Sequence, residues 1–175
     1  MKINGDLIIS DTNTKLKDTI NPTFSYAQMK TSNATSTVSS EIVISGWTWG
    51  HSRGDFYYNT TNGFLCVPHG TAKVIQIAGV IAGCFSFTAR YMIKDGNGTE
   101  MDYNAAGFTY QSLGILHNAS GNQYWKMALP TVTLEIPDTT KDWYIYLDVG
   151  PYNSEYCYFN TGFGAASWMS VTKLA

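Results

Sequence analysis

The chain has 175 residues, a net charge of −2 and only 14% charged residues, against about 25% in an average soluble protein. This composition excludes a disordered chain and a coiled coil, because both need far more Glu, Lys, Ala or Leu. Strand-forming Tyr, Thr, Val, Ile, Phe and Trp dominate instead and favour an all-β fold. With only 11 Lys and Arg residues, the chain is not expected to bind nucleic acid, which requires clustered cations.

Residues 1–40 are predicted to be an attachment and linker segment outside the main domain. They begin with one strand-like alternation, Ile3, Leu7 and Ile9, and end in a Ser/Thr-rich stretch over 31–40 that has little to bury. The start of the chain lacks the apolar core of a signal peptide, so synthesis in a cytoplasm is expected. The most apolar stretch, 74–87, is too short to span a bilayer, and no membrane insertion is expected.

From residue 41 onward the sequence predicts short strands separated by turn clusters such as Asp95-Gly96-Asn97-Gly98. The predicted strands are 41–48, 55–59, 63–67, 72–81, 84–94, 106–117, 122–129, 131–136, 142–149, 155–159 and 165–174. About ten strands without an internal repeat indicate a sandwich of two antiparallel sheets.

Several of these strands carry large side chains on both faces. One face of 142–149 has the core residues Trp143, Ile145, Leu147 and Val149, and the other begins with Tyr144 and Tyr146. Near the C-terminus Tyr156 and Tyr158 also face away from Cys157 and Phe159. Tyrosine suits a subunit contact, because its ring is buried while its hydroxyl finds a partner. The four tyrosines therefore predict an oligomer interface, and coverage by loops of the same chain is the alternative.

The C-terminal pattern resembles that of a known fold family. The run 142–149, an irregular aromatic segment to Phe163 and the run 165–171 resemble the last strands of the globular heads of complement recognition proteins and tumour-necrosis-factor-like ligands. This resemblance implies a jelly-roll head over residues 41–175, an antiparallel sandwich of about ten strands that follows a short N-terminal strand and an extended linker.

A separate resemblance concerns the N-terminus. Residues 4–9 and 14–18 resemble segments that open fibre and tail proteins of bacteriophages. Together the two resemblances imply a homotrimeric virion fibre or spike head, made in a bacterial cytoplasm and attached to other virion proteins through residues 1–40. Such an origin is consistent with a strand-rich sequence without paired cysteines or a signal peptide.

Catalytic and metal-binding patterns are weak in this sequence. It has three histidines and lacks a nucleophile elbow and a paired Cys-x-x-Cys spacing. Cys66, Cys84 and Cys157 are interpreted as buried free thiols. We therefore expect no catalytic residue, metal or cofactor. The loop from Asp95 to Asp102 leaves two interpretations open, a hairpin turn and a calcium site.

Exposed aromatic residues are the best ligand candidates. Trp47 and Trp49 share one predicted strand face, either in the core or at a ligand, and lead into a loop. Aromatic rings beside amides and carboxylates suit a saccharide, because the ring packs on the apolar face of the sugar. The predicted ligand-binding residues, from this loop and from a second one, are His51, Arg53, Asp55, Tyr57, Tyr152 and Asn153.

The sequence therefore predicts a non-enzymatic fibre or spike head that binds a bacterial surface glycan or protein through its distal loops. Two alternatives remain open: a monomeric carbohydrate-binding module, and a capsid or tail decoration protein without a receptor.

Overall fold

The computed structural model describes residues 8–9, 14–15, 25–31, 36–84, 87–102, 114–116, 125–151, 157–159 and 167–175. Their regular secondary structure consists of strands alone, which confirms the all-β prediction. In chain order the strands are Ile8–Ile9 (β1), Thr14–Lys15 (β2), Tyr26–Thr31 (β3), Ser36–Val38 (β4), Ile42–Val43 (β5), Trp49–Arg53 (β6), Tyr57–Asn59 (β7), Phe64–Val67 (β8), Val74–Cys84 (β9), Phe87–Asp95 (β10), Gly114–Leu116 (β11), Trp125–Glu135 (β12), Trp143–Pro151 (β13), Cys157–Phe159 (β14) and Ser167–Lys173 (β15).

The long strands form two antiparallel sheets. Sheet I has the order β11-β10-β13-β8-β7, and β5 pairs with the far end of β13. Sheet II has the order β4-β14-β9-β15-β3-β6. In this sheet β14 and β15 pair with successive parts of one edge of β9, and β12 pairs with the opposite edge. The two short strands β1 and β2 form a separate pair.

The strand pairing is nested along the chain. The outermost pair is β3 with β15, followed inward by β4 with β14, β8 with β13, β9 with β12 and β10 with β11. The first two pairs belong to sheet II, and from β4 with β14 inward the pairs alternate between sheet II and sheet I. A long hairpin that is folded over in this way is a jelly roll, so the predicted fold class is confirmed.

The core lies between the sheets and follows the period-2 alternation of the strands. On β13 the four predicted core residues Trp143, Ile145, Leu147 and Val149 are all buried in it. The pattern holds on β10, where Phe87, Ala89, Tyr91 and Ile93 face inward. The alternation therefore predicted the buried face of both strands correctly.

Strand β3 corrects the predicted boundary of the head at residue 41. It pairs with both β15 and β6, and its Ala27 and Met29 are fully buried. The period-2 pattern of 25–30, with small or apolar residues alternating with polar ones, is the signal for this strand. The linker interpretation is therefore wrong for 25–31, because burial of this pattern requires a place inside the sandwich. An attachment role for the preceding residues stays a prediction.

Strand β12 replaces two predicted strands by one. Its pairing with β9 shifts by one residue between Leu129 and Val132, which is a β-bulge. Pro130 lies in this bulge, and because proline has no N–H to donate, the regular ladder is interrupted there. The chain resumes the same direction after the bulge, so the break does not separate two strands.

The prediction that Trp47 and Trp49 share one strand face is wrong. Gly46 adopts a positive φ of 68°, and the chain from Ile44 to Trp47 is not a strand. Trp47 is buried and its Nε1 donates a hydrogen bond to the carbonyl oxygen of Ile44 at 3.1 Å. Trp49 opens β6 and is 48% exposed. Trp47 therefore packs in the core, whereas Trp49 faces solvent.

Candidate functional site

The structure separates the predicted ligand residues into two surfaces. His51 and Arg53 are exposed on the outer face of sheet II, on the edge strand β6. Tyr57 is exposed on β7 at the edge of sheet I. These three residues were assigned to one of the two predicted loops, and the structure instead places them on edge strands of different sheets.

Asp55 lies in the turn between these two strands and holds the start of β3. Its carboxylate accepts a hydrogen bond from the Ser25 hydroxyl at 3.4 Å, and its backbone N–H donates to the same hydroxyl oxygen at 3.2 Å. Ser25 is fully buried. The geometry indicates a structural role for Asp55, because its turn is joined to the second sheet by both bonds.

Four other predicted positions have no described side chain. Tyr152, Asn153 and Tyr156 lie outside the described residues. The backbone of Tyr158 pairs with Cys84 in sheet II. Their roles in ligand binding or in a subunit contact stay predictions.

The outer face of sheet I carries an aromatic cluster, which we define as Tyr57, Phe64, Tyr144 and Tyr146. The Phe64 ring lies at the centre, edge-on to its three neighbours. Its centroid is 4.9 Å from that of Tyr144, 5.8 Å from Tyr146 and 6.5 Å from Tyr57. Cross-strand pairing brings these rings together. Phe64 lies directly opposite Tyr146 on β13 and Asn59 on β7. Tyr144 and Tyr57 are therefore its diagonal neighbours on the two adjacent strands.

The Cys66 side chain next to the cluster is sealed from solvent. Cys66 is fully buried although it belongs to the outer face, opposite both Tyr57 and Tyr144. Burial raises the pKa of its thiol to about 12. A hydrogen bond with Cys66, followed by burial, raises the pKa of the Tyr57 hydroxyl. The cluster is thus a second, smaller packed layer outside the main core.

Two hollows open beside the cluster at one end of sheet I, and we call them the twin hollows. The first, about 330 Å³, is lined by Phe64, Tyr146 and Lys94. The second, about 270 Å³, is lined by His69, Asn97, Thr140 and Lys141. Tyr144, Asp95, and Gly96 line both. Tyr144 therefore belongs to two neighbouring depressions, each lined by both aromatic and polar residues.

A tight turn forms one wall of the twin hollows. The Asp95 carboxylate accepts hydrogen bonds from the backbone N–H groups of Asn97 and Thr99, both at 2.9 Å. The chain then returns along β10, and the backbone of Glu100 pairs with that of Lys94 in an isolated antiparallel β-bridge. Of the two interpretations of this loop, the geometry is that of the hairpin turn. The bond from the Thr99 backbone is the largest of several effects that lower the pKa of Asp95.

The opposite wall is held by a second acidic residue. The Asp142 carboxylate accepts hydrogen bonds from the backbone N–H of His69 at 2.8 Å and lies 2.8 Å from its Nδ1. These two bonds, with the backbone bond first, lower the pKa of Asp142. Lys141 joins the walls, because its Nζ lies 3.2 Å from Oδ2 of Asp95. Both walls of the hollows are therefore preformed by hydrogen bonds.

These groups can bind a polar ligand that has an apolar face. The Tyr144 ring provides a stacking surface, while the Lys, His, Asn and Thr side chains around it provide donors and acceptors for hydroxyl groups. Among the residues that the structure describes, no group of three His, Cys, Asp or Glu side chains is placed to hold a metal ion.

Sequence reasoning found only part of this site. It singled out Tyr144 and Tyr146 as subunit contacts and Asp95 as a turn residue, and it missed Lys94, Lys141 and His69 as neighbours of Tyr144. One local signal was available, since all three lie beside turn clusters at strand ends. Their meeting at one end of sheet I depends on the pairing of β8, β10 and β13.

The comparisons with known proteins do not assign a family. The sequence matches no family model and no curated protein sequence. Within the described part of the chain, no helix has the length and apolarity needed to cross a membrane.

Proposed function

We propose that the chain is a non-enzymatic adhesion head of a bacteriophage fibre or spike that binds a bacterial surface glycan in the twin hollows. The observation that carries the binding proposal is the shared position of Tyr144, which lines both hollows. A sugar ring in either hollow would contact the Tyr144 ring with its apolar face. The virion origin rests on the resemblance of the two chain ends to fibre and globular-head proteins.

Preorganised walls support this proposal. Asp95 and Asp142 each accept backbone hydrogen bonds and hold the loops at fixed positions. A ligand would therefore bind without first ordering these loops, which reduces the entropic cost of association. The proposal assigns ligand contacts to Tyr144, Tyr146 and Lys141, with His69 and Lys94 at the rim.

The test is binding of the full chain to a panel of bacterial envelope polysaccharides, measured by biolayer interferometry. Tyr144→Ala should weaken binding at least tenfold, and Tyr144→Phe should keep most of it, because the ring remains. Thr133→Ala is the control, since Thr133 is exposed on the opposite sheet. The size distribution of the bound polysaccharide should stay unchanged, as expected for a protein without hydrolase activity.

Three outcomes of this experiment would contradict the proposal. Equal binding by Tyr144→Ala and the unmodified chain, with both folded by circular dichroism, would exclude the twin hollows. Shortening of the polysaccharide would contradict the non-enzymatic assignment. Absence of binding to every polymer of the panel would favour the alternative of a decoration protein.

A homotrimer is part of the proposal. The outward side chains of β9 and β15 include no charged residue over Gln76, Ala78, Val80, Trp168 and Ser170, all of them half-buried. Interface cores are depleted of charge and contain aromatic residues. The outer face of sheet II thus offers a second place for a subunit contact, besides the predicted one at Tyr144 and Tyr146.

Solution mass by light scattering tests the oligomer and its placement. The full chain is expected at the mass of three chains. Dissociation by Ala78→Glu would place the contact on sheet II. Dissociation by Tyr146→Lys would place it on sheet I and would contradict a glycan site at Tyr144 and Tyr146, because a subunit contact would cover these side chains. A monomeric full chain would contradict the trimer and favour the monomeric carbohydrate-binding module.

A further inference from the structure

A strip of aromatic and basic side chains runs along the edge of sheet II, far from the twin hollows. We call it the β3–β6 strip. Its six members form three cross-strand pairs on the outer face, Lys30 with Trp49, Gln28 with His51 and Tyr26 with Arg53. Directly paired residues of an antiparallel ladder point to the same side. From Trp49 to Arg53 the strip extends about 14 Å at the rise of a β-strand.

The aromatic members form a continuous surface. The Trp49 indole is 48% exposed and stacks on the His51 ring with a centroid distance of 6.1 Å and an angle of 13°. The centroid of the Tyr26 ring lies 6.3 Å from that of His51, with the two rings tilted by 55°. The Tyr26 hydroxyl donates to Oε1 of Gln28 at 2.5 Å, which orients the amide NH₂ group of Gln28. The strip is therefore held in place by its own contacts.

The charges on the strip have one sign. Lys30 and Arg53 are exposed at its two ends, and neither strand carries an Asp or Glu. The ion pairs among the described residues involve Arg90, Lys141 and His69, and not Lys30 or Arg53. The chain as a whole has a net charge of −2. A local excess of cations on an acidic protein selects an anionic ligand.

We infer that the β3–β6 strip binds an anionic polysaccharide, independently of the twin hollows. A sugar ring stacks on Trp49, the Gln28 amide donates to a hydroxyl group, and acidic groups of the polymer contact Lys30 and Arg53. Carboxylate and phosphate groups both fit this chemistry. The ligand is extended, because the two cations stand at opposite ends of the strip.

A saccharide accounts for the strip better than single-stranded nucleic acid does. Nucleic-acid grooves carry a series of cations that follow successive phosphates, and the strip has two cations with aromatic and amide groups between them. The hydrogen-bonding Gln28 at its centre suits the hydroxyl groups of a sugar. Nucleic acid is therefore kept as a competing outcome of the test.

The experiment measures binding of the full chain to polygalacturonate and to a glucosylated poly(glycerol phosphate) teichoic acid, which carries sugar rings on a phosphate backbone, at 50 mM NaCl. Methyl-esterified polygalacturonate serves as the neutral counterpart with the same sugar rings. The double variant Lys30→Gln/Arg53→Gln should bind the acidic polymer at least tenfold more weakly. Trp49→Ala should weaken binding of both the acidic and the esterified polymer. Lys73→Gln, the same substitution at an exposed lysine that belongs neither to the strip nor to the twin hollows, is the matched control and should leave this binding unchanged.

The inference is supported if an acidic polymer binds in this manner and if 500 mM NaCl weakens its binding, as screening requires. Absence of binding to both acidic polymers would overturn it. Equal binding of the acidic and esterified polymers, or tighter binding of a single-stranded oligonucleotide, would also overturn it. Loss of binding by Lys94→Gln or Tyr144→Ala would assign these polymers to the twin hollows instead. The two sites are thus tested separately.

Discussion

Nε of Arg90 lies 2.6 Å from Oδ2 of Asp148 and 2.8 Å from Oε1 of Glu41 on the outer face of sheet I. The side chain of Asp148 is 2% exposed, while that of Glu41 is 54% exposed. One guanidinium N–H group therefore faces two carboxyl groups in different surroundings. Burial raises the pKa of Asp148 to about 6. The hydrogen bond with Arg90 lowers this pKa, and a hydrogen bond with Glu41 offsets part of that effect.

This pair predicts a pH-dependent stability. The pKa of Asp148 is higher in the folded state than in the unfolded chain. The stabilisation that comes from protonated Asp148 is therefore present in full below about pH 4. It is lost as the pH rises through about 6, by about 2 kcal/mol between pH 4 and pH 7. Asp148→Asn removes this titration. Urea unfolding should therefore show the variant gaining on the unmodified chain as pH rises.

Asp142→Asn is the control with the opposite sign. The folded state lowers the pKa of Asp142, so the stabilisation by its carboxylate is present at neutral pH and lost on acidification. The deficit of this variant should shrink as the pH falls through the titration of Asp142. A stability difference for Asp148→Asn that stays constant with pH would contradict the prediction.

Strand β3 is predicted to be indispensable for the sandwich. Met29→Ala should lower the free energy of unfolding by about 2–5 kcal/mol, because a fully buried side chain leaves a cavity. Lys30→Ala, on the exposed face of the same strand, should change it by less than about 0.5 kcal/mol. A truncated chain of residues 41–175 should show no cooperative transition, and cooperative unfolding of this fragment would show that β3 is dispensable.

A comparison of two glycines with similar backbone angles distinguishes the cost of backbone strain from the cost of a steric clash. Gly63 and Gly98 have positive φ values of 76° and 80°. A Cβ atom at Gly63 would lie 2.1 Å from the carbonyl oxygen of Ile44, whereas one at Gly98 would meet nothing within 4 Å. Gly98→Ala should cost about 1 kcal/mol of unfolding free energy from backbone strain alone. Gly63→Ala should cost at least about 2 kcal/mol more, since backbone must move. Equal costs in thermal unfolding would contradict the contact argument.

The hydroxyl of Tyr91 is buried and has no hydrogen-bond partner among the described residues. Tyr91→Phe removes this polar group and keeps the ring, so it should be neutral or stabilise the protein by up to about 1 kcal/mol. Trp143→Phe is the contrast, because Nε1 of Trp143 donates to the carbonyl oxygen of Asp138 at 2.9 Å. This second variant should lower the unfolding free energy in calorimetry. A clear loss of stability for Tyr91→Phe would indicate that its hydroxyl has a partner.

The features that depend on residues close together in the chain, such as the two faces of a strand and the position of a turn, were predicted correctly. The alternation over 143–149 identified both the core side chains and the outward Tyr144 and Tyr146, because successive residues of a strand face opposite sides. The Asp95-Gly96-Asn97-Gly98 cluster identified a turn, since its side-chain and backbone groups bond within the loop. These features need no partner strand to be recognised.

The elements that were missed depend on distant partners. Strand β3 looked like part of a linker, and only its pairing with β15 and β6 provides the burial that makes it a strand. Trp47 and Trp49 were grouped together because the positive φ of Gly46 cannot be deduced from an apolar run. Likewise, Tyr57 was placed beside His51, although the chain crosses from one sheet to the other between them.

The sequence alone thus determined the fold class, most strand positions and the inward face of the long strands, because these follow from composition and from a period of two residues. The tertiary structure decided which outward side chains meet. Tyr144 reaches both Phe64 and Lys94 only because β13 lies between β8 and β10. Trp49 stands beside Lys30 only because β6 pairs with β3. Both candidate binding surfaces therefore depend on the order and register of strands that are distant in the chain, which local patterns do not specify.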